Sequence, residues 1–320
     1  MDAHFGYMSI ISEQPERLAD FYAEHFGMWE LGRSSDGDVS ITDGFLNVSI
    51  LKQRLGVEGA SGRTGLSHFG ISVSDIHEIE ANLEEHMPTA DIQAEPGDLQ
   101  HGEYRVYGPN GLPVSISTKN FGVSGTARRL PRIRHMALCM NPPNDPQVDF
   151  LVNIFGFREV STSMVRRRDN VPVRFVGDGN VNLALLVNGG TGFYKAGMER
   201  PHEDQFRDEA ERSINTKSGL QHFGFVVEDA QAVMDCMPSD LARWNNKREA
   251  RDMAEYRVFD PDLNAIDLSQ RSGFEVDFDR WENARGSGLT TEARLAASPS
   301  PAAFAVRVGP GEGRGEGTHS

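Results

Sequence analysis

Two recurring strings constrain the fold more than any other feature of the chain. Gly65-Leu66-Ser67-His68-Phe69-Gly70-Ile71 returns as Gly219-Leu220-Gln221-His222-Phe223-Gly224-Phe225, and Glu103-Tyr104-Arg105-Val106-Tyr107-Gly108-Pro109 returns as Glu255-Tyr256-Arg257-Val258-Phe259-Asp260-Pro261. The offset is 154 residues from His68 to His222 and 152 from Tyr104 to Tyr256. Two separate strings displaced by nearly the same distance mean that one unit has been copied in tandem. A chain of 320 residues has room for two such units, each burying its own core.

Elements follow the same order in both copies. In the first, Tyr7 to Ile11 reads as a strand and Pro15 to Phe26 as a helix, because Leu18, Phe21, Tyr22 and Phe26 fall on one face and Gly27 follows as a cap. Short β segments run on to Leu51. A strand around His68, a helix from Ile76 to His86 and a hairpin turning at Gly108-Pro109-Asn110-Gly111 complete the copy. In the second, a strand spans Ile133 to Met140 and a helix Pro146 to Phe155, with Gly156 ending it. Further β segments reach Val187, and the last part runs from Leu220 to the hairpin Tyr256 to Gln270. The expected fold class is α+β: tandem βαβββ modules, four βαβββ units in all, forming two open curved-sheet barrels over residues 1–122 and 130–275. Residues 188–218 form a polar insertion, with a helix expected over Glu203 to Ser213, of the kind that serves as a lid or binding loop. Gly, Pro, Ala and Ser dominate after Trp281, so 285–320 is expected to be a disordered tail.

Composition narrows the function. A net charge of −15 argues against nucleic acid, whose phosphates require clustered Lys and Arg. Arg166-Arg167-Arg168 is the one basic run and reads as a solvated strand end. No apolar run approaches the roughly 20 residues that span a bilayer, and the acidic start Met1-Asp2-Ala3-His4 is not a signal peptide. A cytoplasmic protein without membrane contact is expected. Cys139 and Cys236 lack the spacing of a zinc or redox motif and read as buried thiols. Nucleotide-binding glycine loops and a nucleophile elbow are absent. What remains is a protein for a small-molecule substrate; a homo-oligomer is compatible with open curved sheets.

Three candidate metal ligands lie on three strands of the second copy: His135 in Ile133-Arg134-His135-Met136-Ala137, His222 in the repeated heptapeptide, and Asp267 in Ala265-Ile266-Asp267-Leu268-Ser269. Alternate strand residues share a face, so one side chain from each of three strands can converge inside a curved sheet. Two imidazoles and a carboxylate suit Fe(II), Mn(II), Zn(II) or Ni(II), with positions left open for substrate. The first copy is an internal control. Aligning the repeats puts Tyr7, His68 and Ser115 at the three positions, so the fold tolerates Tyr and Ser there and the second copy needs another reason for its ligand set. Arg105 and Arg257, on equivalent hairpin strands, are expected to pair within the sheet. Phe193 and Tyr194 in the insertion read as hydrophobic anchors.

The paired βαβββ modules, the Gly-Leu-x-His-Phe-Gly start of the third unit and the hairpin from Phe259 to Asp267 resemble the vicinal oxygen chelate superfamily, which includes glyoxalase I, fosfomycin and bleomycin resistance proteins and extradiol ring-cleaving dioxygenases. The resemblance covers roughly residues 3–273, and a ligand-free first module ahead of a metal-bearing second one is similar to the type I extradiol dioxygenases. It implies that His135, His222 and Asp267 hold a divalent metal, Fe(II) before Mn(II), Zn(II) or Ni(II). It further implies a catecholic or other vicinal-dioxygen substrate, with His202 or Tyr256 assisting proton transfer. The chain departs from the family pattern at three places. The carboxylate is Asp rather than Glu, His202 is the only histidine in the loop before the second ligand, and the hairpin tyrosine ten residues before the carboxylate is Arg257 here. Two other readings stand beside the dioxygenase: a non-redox lyase, epimerase or isomerase of the glyoxalase type, and a small-molecule binding protein without chemistry.

Overall fold

The computed structural model describes residues 2–54, 56, 64–94, 102–124, 130–141, 143–160, 174–187, 219–239, 241, 254, 256–270 and 274. The first copy runs β1 (Ala3–Ser12), α1 (Pro15–Phe26), β2 (Trp29–Arg33), β3 (Val39–Thr42), β4 (Asn47–Lys52), β5 (Gly65–Val73), α2 (Ile76–His86), β6 (Gln93–Ala94), β7 (Tyr104–Tyr107) and β8 (Pro113–Ser117). The second runs β9 (Arg132–Met140), α3 (Asp145–Phe155), β10 (Arg158–Val160), β11 (Arg174–Gly177), β12 (Asn182–Val187), β13 (Gly219–Val226), α4 (Ala230–Cys236), β14 (Tyr256–Phe259) and β15 (Ala265–Ser269). Each copy builds one mixed sheet, ordered β2-β3-β4-β1-β5-β8-β7-β6 and β10-β11-β12-β9-β13-β15-β14. Both sheets are open, and neither closes into a barrel. The fourth unit contributes β13, α4, β14 and β15 among the described residues, one strand fewer than the expected βαβββ order. The 188–218 insertion with its expected helix, the Arg166 to Arg168 run, Phe193, Tyr194, His202 and the 285–320 tail also lie outside the described residues.

Capping chemistry explains where the helices stop. α1 begins with Pro15 at its first turn and ends at Gly27 in the left-handed region (φ 62°), where a glycine carries no Cβ penalty. α3 ends the same way at Gly156 (φ 67°). Apolar faces of α1 and α3, with the outward sides of both sheets, merge into one continuous core that spans the two copies.

The seam between the copies is reciprocal. Asp43, in the β3–β4 turn, accepts Ile133 N at 2.8 Å, and Asp178, in the β11–β12 turn, accepts Phe5 N at 2.7 Å. Burial pushes both carboxyls up, against the backbone N–H groups that stabilise their charged forms. The hairpins are braced across the seam as well, with different chemistry. Gly108 lies under the Phe150 ring of α3, so any side chain there would collide with it. At the equivalent place in the second hairpin stands Asp260, whose Oδ2 accepts the Tyr22 hydroxyl of α1 at 2.7 Å. Asn264 then joins that turn to the first copy, its Oδ1 accepting Leu66 N at 2.9 Å.

The two cysteines, both expected to be buried thiols, differ. Cys139 is buried, with its thiol pushed up to about 11 by desolvation, but Cys236 is exposed on α4 because the apolar face of that helix is carried by Ala230 and Met234 instead.

Candidate metal centre

Three adjacent strands bring the sequence-predicted ligands together. β9 lies antiparallel to β13 with His135 opposite Gly224, and β13 lies parallel to β15 with Gly224 opposite Asp267. His222 sits two residues before Gly224, on the same face. His135, His222 and Asp267 are 4 %, 3 % and 4 % exposed. His135 Nε2 and His222 Nε2 are 3.3 Å apart, His222 Nε2 and Asp267 Oδ2 are 3.5 Å apart, and the three donor atoms all lie within 4.8 Å of one another. Ala137, Cys139, Phe175, Ala184, Leu186 and Phe274 form an apolar cluster on this face.

Hydrogen bonds fix the state of the imidazoles. Asn182, opposite His135 in parallel β12, donates its Nδ2 to Phe274 O at 2.7 Å, so its Oδ1 is the atom that faces His135 Nδ1 at 2.5 Å. The Nδ1 position therefore carries the proton, and Nε2 presents its lone pair to the cluster. Burial lowers the His135 pKa and keeps the ring neutral; the nearby Arg257 charge works in the same direction, against Asn182 and Asp267. His222 has the same arrangement, with Nδ1 at 3.0 Å from Gln221 Oε1. Two imidazole lone pairs and a carboxylate oxygen thus point at one another, which is a donor set arranged for a cation. The two separations that involve His222, 3.3 and 3.5 Å, are close to the separation of about 3.0–3.4 Å expected when ligand bonds of about 2.1 Å meet at octahedral or tetrahedral angles. The Asn182 and Gln221 contacts are the outer partners that orient metal-bound histidines.

Arg257 is the residue whose role the sequence defined least. It lies directly across the hairpin from Asp267 and donates Nε to Oδ1 at 2.5 Å and Nη2 to Oδ2 at 3.0 Å. The expected pairing within the sheet is thus made to the carboxylate of the cluster itself. Tyr256, one residue away, points to the opposite side of the sheet. Its hydroxyl donates to Gln231 of α4 at 3.1 Å and its ring packs on the main core. Asn182 and Phe274 escaped sequence reasoning. Phe274 stacks on His135, rings 8° from parallel at 5.0 Å, and occupies the space that the missing side chain of Gly224 leaves open.

The first copy keeps this scaffold without the ligand set. Asn47 stands opposite Tyr7 and donates to Phe121 O at 2.8 Å, and Phe121 stacks on Tyr7 over Gly70. His68, equivalent to His222, is held by hydroxyls instead: Ser9 at 2.8 Å from Nδ1 and Ser115 at 3.1 Å from Nε2. Both copies carry the same contact of Asn with Phe beside a strand glycine. Among the described residues, only the second brings ligand-type donors together.

No family model matches the chain, and no curated protein matches it. Solved structures do. Homoprotocatechuate 2,3-dioxygenase from Arthrobacter globiformis is 16% identical with a TM-score of 0.54, over 83% of this chain and 78% of that one. A mutant homoprotocatechuate 2,3-dioxygenase from Brevibacterium fuscum is 12% identical with a TM-score of 0.55, over 88% and 73%. The 2,3-dioxygenase LapB from Pseudomonas sp. KL28 is 15% identical with a TM-score of 0.53, over 83% and 90%. At these identities the likeness establishes the fold: the two-module vicinal oxygen chelate architecture of the type I extradiol dioxygenases.

Proposed function

We propose that the chain is a metal-dependent enzyme for a small molecule with two vicinal oxygens, and that its reaction is extradiol cleavage of a catecholic ring. The observation that carries this reading is the convergence of His135 Nε2, His222 Nε2 and Asp267 Oδ2 within 4.8 Å on one buried face. Support comes from the fold shared with extradiol dioxygenases. A bound divalent ion, Fe(II) before Mn(II), Zn(II) or Ni(II), supplies Lewis acidity and, where redox-active, electron transfer to oxygen.

The chain's own residues then have separate tasks. Asn182 and Gln221 keep the two histidines in the ligating tautomer. Arg257 fixes the carboxylate in place. Ala137, Ala184, Phe175 and Phe274 exclude water and offer an apolar wall to a flat ring. Proton transfer falls to His202, which precedes the second ligand in the chain. A non-redox lyase, epimerase or isomerase is the second reading. It is favoured by Arg257 in the hairpin position, where a guanidinium engaged with Asp267 moves no proton.

Anaerobic loading with Fe(II), followed by oxygen-electrode measurements on a panel of catechols, separates the two. Oxygen uptake matched by ring-opened product, and abolished in His222→Ala, is the expected result. Stoichiometric metal with no uptake would transfer the assignment to the non-redox reading.

A further inference from the structure

Asp267 enters the donor cluster already neutralised. Arg257 grips both of its oxygens, and the two side chains are 8 % and 6 % exposed. A guanidinium is a permanent cation, and an imidazole that ligates a metal is neutral. Among the described residues, the set of His135, His222 and Asp267 with its Arg257 partner therefore sums to zero. The other buried arginines among the described residues are Arg132 and Arg134 on β9, which donate to Asn180 in the β11–β12 turn, and Arg158 on β10, and none adds negative charge.

A set of two histidines and one unpaired carboxylate leaves a divalent ion at a net charge of plus one. Here the same ion is left at plus two, between apolar walls of Ala137, Ala184, Phe175 and Phe274. Buried charge of that size is costly unless something compensates it. The ligand that completes the site is the group free to do so. We propose that Arg257 is a specificity-determining residue, which makes the site select ligands that chelate through two vicinal oxygens as dianions over monoanionic chelators of the same bite. A fully deprotonated catecholate and a 1,2-dicarboxylate both belong to the selected class. This inference rests on the metal reading of the cluster.

Oxalate and glycolate make the same five-membered chelate near neutral pH with two negative charges and one. The test titrates both into full-length protein loaded with Zn(II), with zinc content measured before and after, for wild type, Arg257→Gln and Arg257→Lys. The readout is the ratio of the two Kd values, which cancels the intrinsic difference between the chelators when proteins are compared. The preference for oxalate is expected to fall by about tenfold in Arg257→Gln, the effect of one unit charge removed a few ångströms away in a partly desolvated site. It should stay within about threefold of wild type in Arg257→Lys, which keeps the charge and loses the fork. An unchanged ratio in Arg257→Gln, with zinc still at one per chain, overturns the proposal and leaves the metal reading standing. Wild-type protein that takes up no zinc overturns both. Should Arg257→Gln fail to fold, the visible spectrum of 4-nitrocatechol on zinc-loaded wild type decides the matter. Bound dianion at a pH where the free ligand is monoanionic is expected, and bound monoanion overturns the proposal.

Discussion

Replacing Tyr22 with Phe removes one hydroxyl, more than two hundred residues away in sequence from the carboxylate it holds. The Tyr22 and Asp260 side chains are both fully buried, and the hydroxyl donates to Oδ2 at 2.7 Å. Burial raises the Asp260 carboxyl from 3.8 to about 6, against the hydrogen bonds from Tyr22 and Asn264 that favour its charged form. A carboxyl raised in the fold contributes most below its unfolded value, and that contribution is lost as pH rises through about 6. About two pH units of displacement correspond to about 3 kcal/mol between the acid limit and pH 8. Tyr22→Phe deepens this loss. Above pH 7 the ionised carboxylate loses a charge-assisted donor, at a cost of about 1.5–3 kcal/mol, whereas at pH 5 a neutral acid loses an ordinary hydrogen bond worth about 0.5–1.5 kcal/mol. Urea unfolding of variant and wild type at pH 5 and pH 8 isolates the pair, because every other titrating group cancels in the difference. The destabilisation should be greater at pH 8 by about 1–2 kcal/mol. Carbon-detected titration of the Asp260 carboxyl should show its midpoint move upward in the variant. Equal destabilisation at the two pH values, or a larger one at pH 5, would refute the linkage drawn here.

Two further outcomes follow from the packing around the site. Gly224→Ala drives a methyl into the Phe274 ring and against Asp267 O, so it should cost about 1–3 kcal/mol of stability and weaken metal binding by moving Phe274 off His135. Gly70→Ala meets Phe121 in the same way and should cost a similar amount with metal affinity unchanged, since the copy it belongs to carries no ligand set; equal effects of the two variants on metal affinity would contradict the division of labour between the copies. A thiol reagent applied to the native protein should modify Cys236 quickly and leave Cys139 silent, because Cys139 is buried with its thiol pushed up to about 11. Two thiols reacting at comparable rates would mean that the β9 face is open to solvent.

The fold was largely legible because duplication writes the same pattern twice. The helix expected from Pro15 to Phe26 is the helix observed, and so is Ile76 to His86, since apolar spacing and a terminal Gly27 or a capping Asp75 are local signals. Convergence of His135, His222 and Asp267 was legible for a similar reason: strand alternation plus the order of elements places three mid-strand residues on one face. What the sequence withheld is set by long-range partners. That Arg257 grips Asp267 depends on a hairpin register that pairs residues ten apart, and a shift of one position would have put Tyr256 there. Phe274 lies past β15, where no periodicity marks it, although its recurrence as Phe121 after the matching strand is a signal that the repeat contained. The seam carboxylates Asp43 and Asp178 sit in turns, where Asp is ordinary, and only the docked copies show whose N–H they accept.

The central claim is that His135, His222 and Asp267 hold a metal ion together. Elemental analysis of anaerobically purified wild type, His222→Ala and Asp267→Ala, each checked for native secondary structure by circular dichroism, tests it most directly. Close to one equivalent of a divalent transition metal in wild type, lost from both folded variants, is the predicted result; equal metal content in all three proteins, or none in any after reconstitution, would contradict the account.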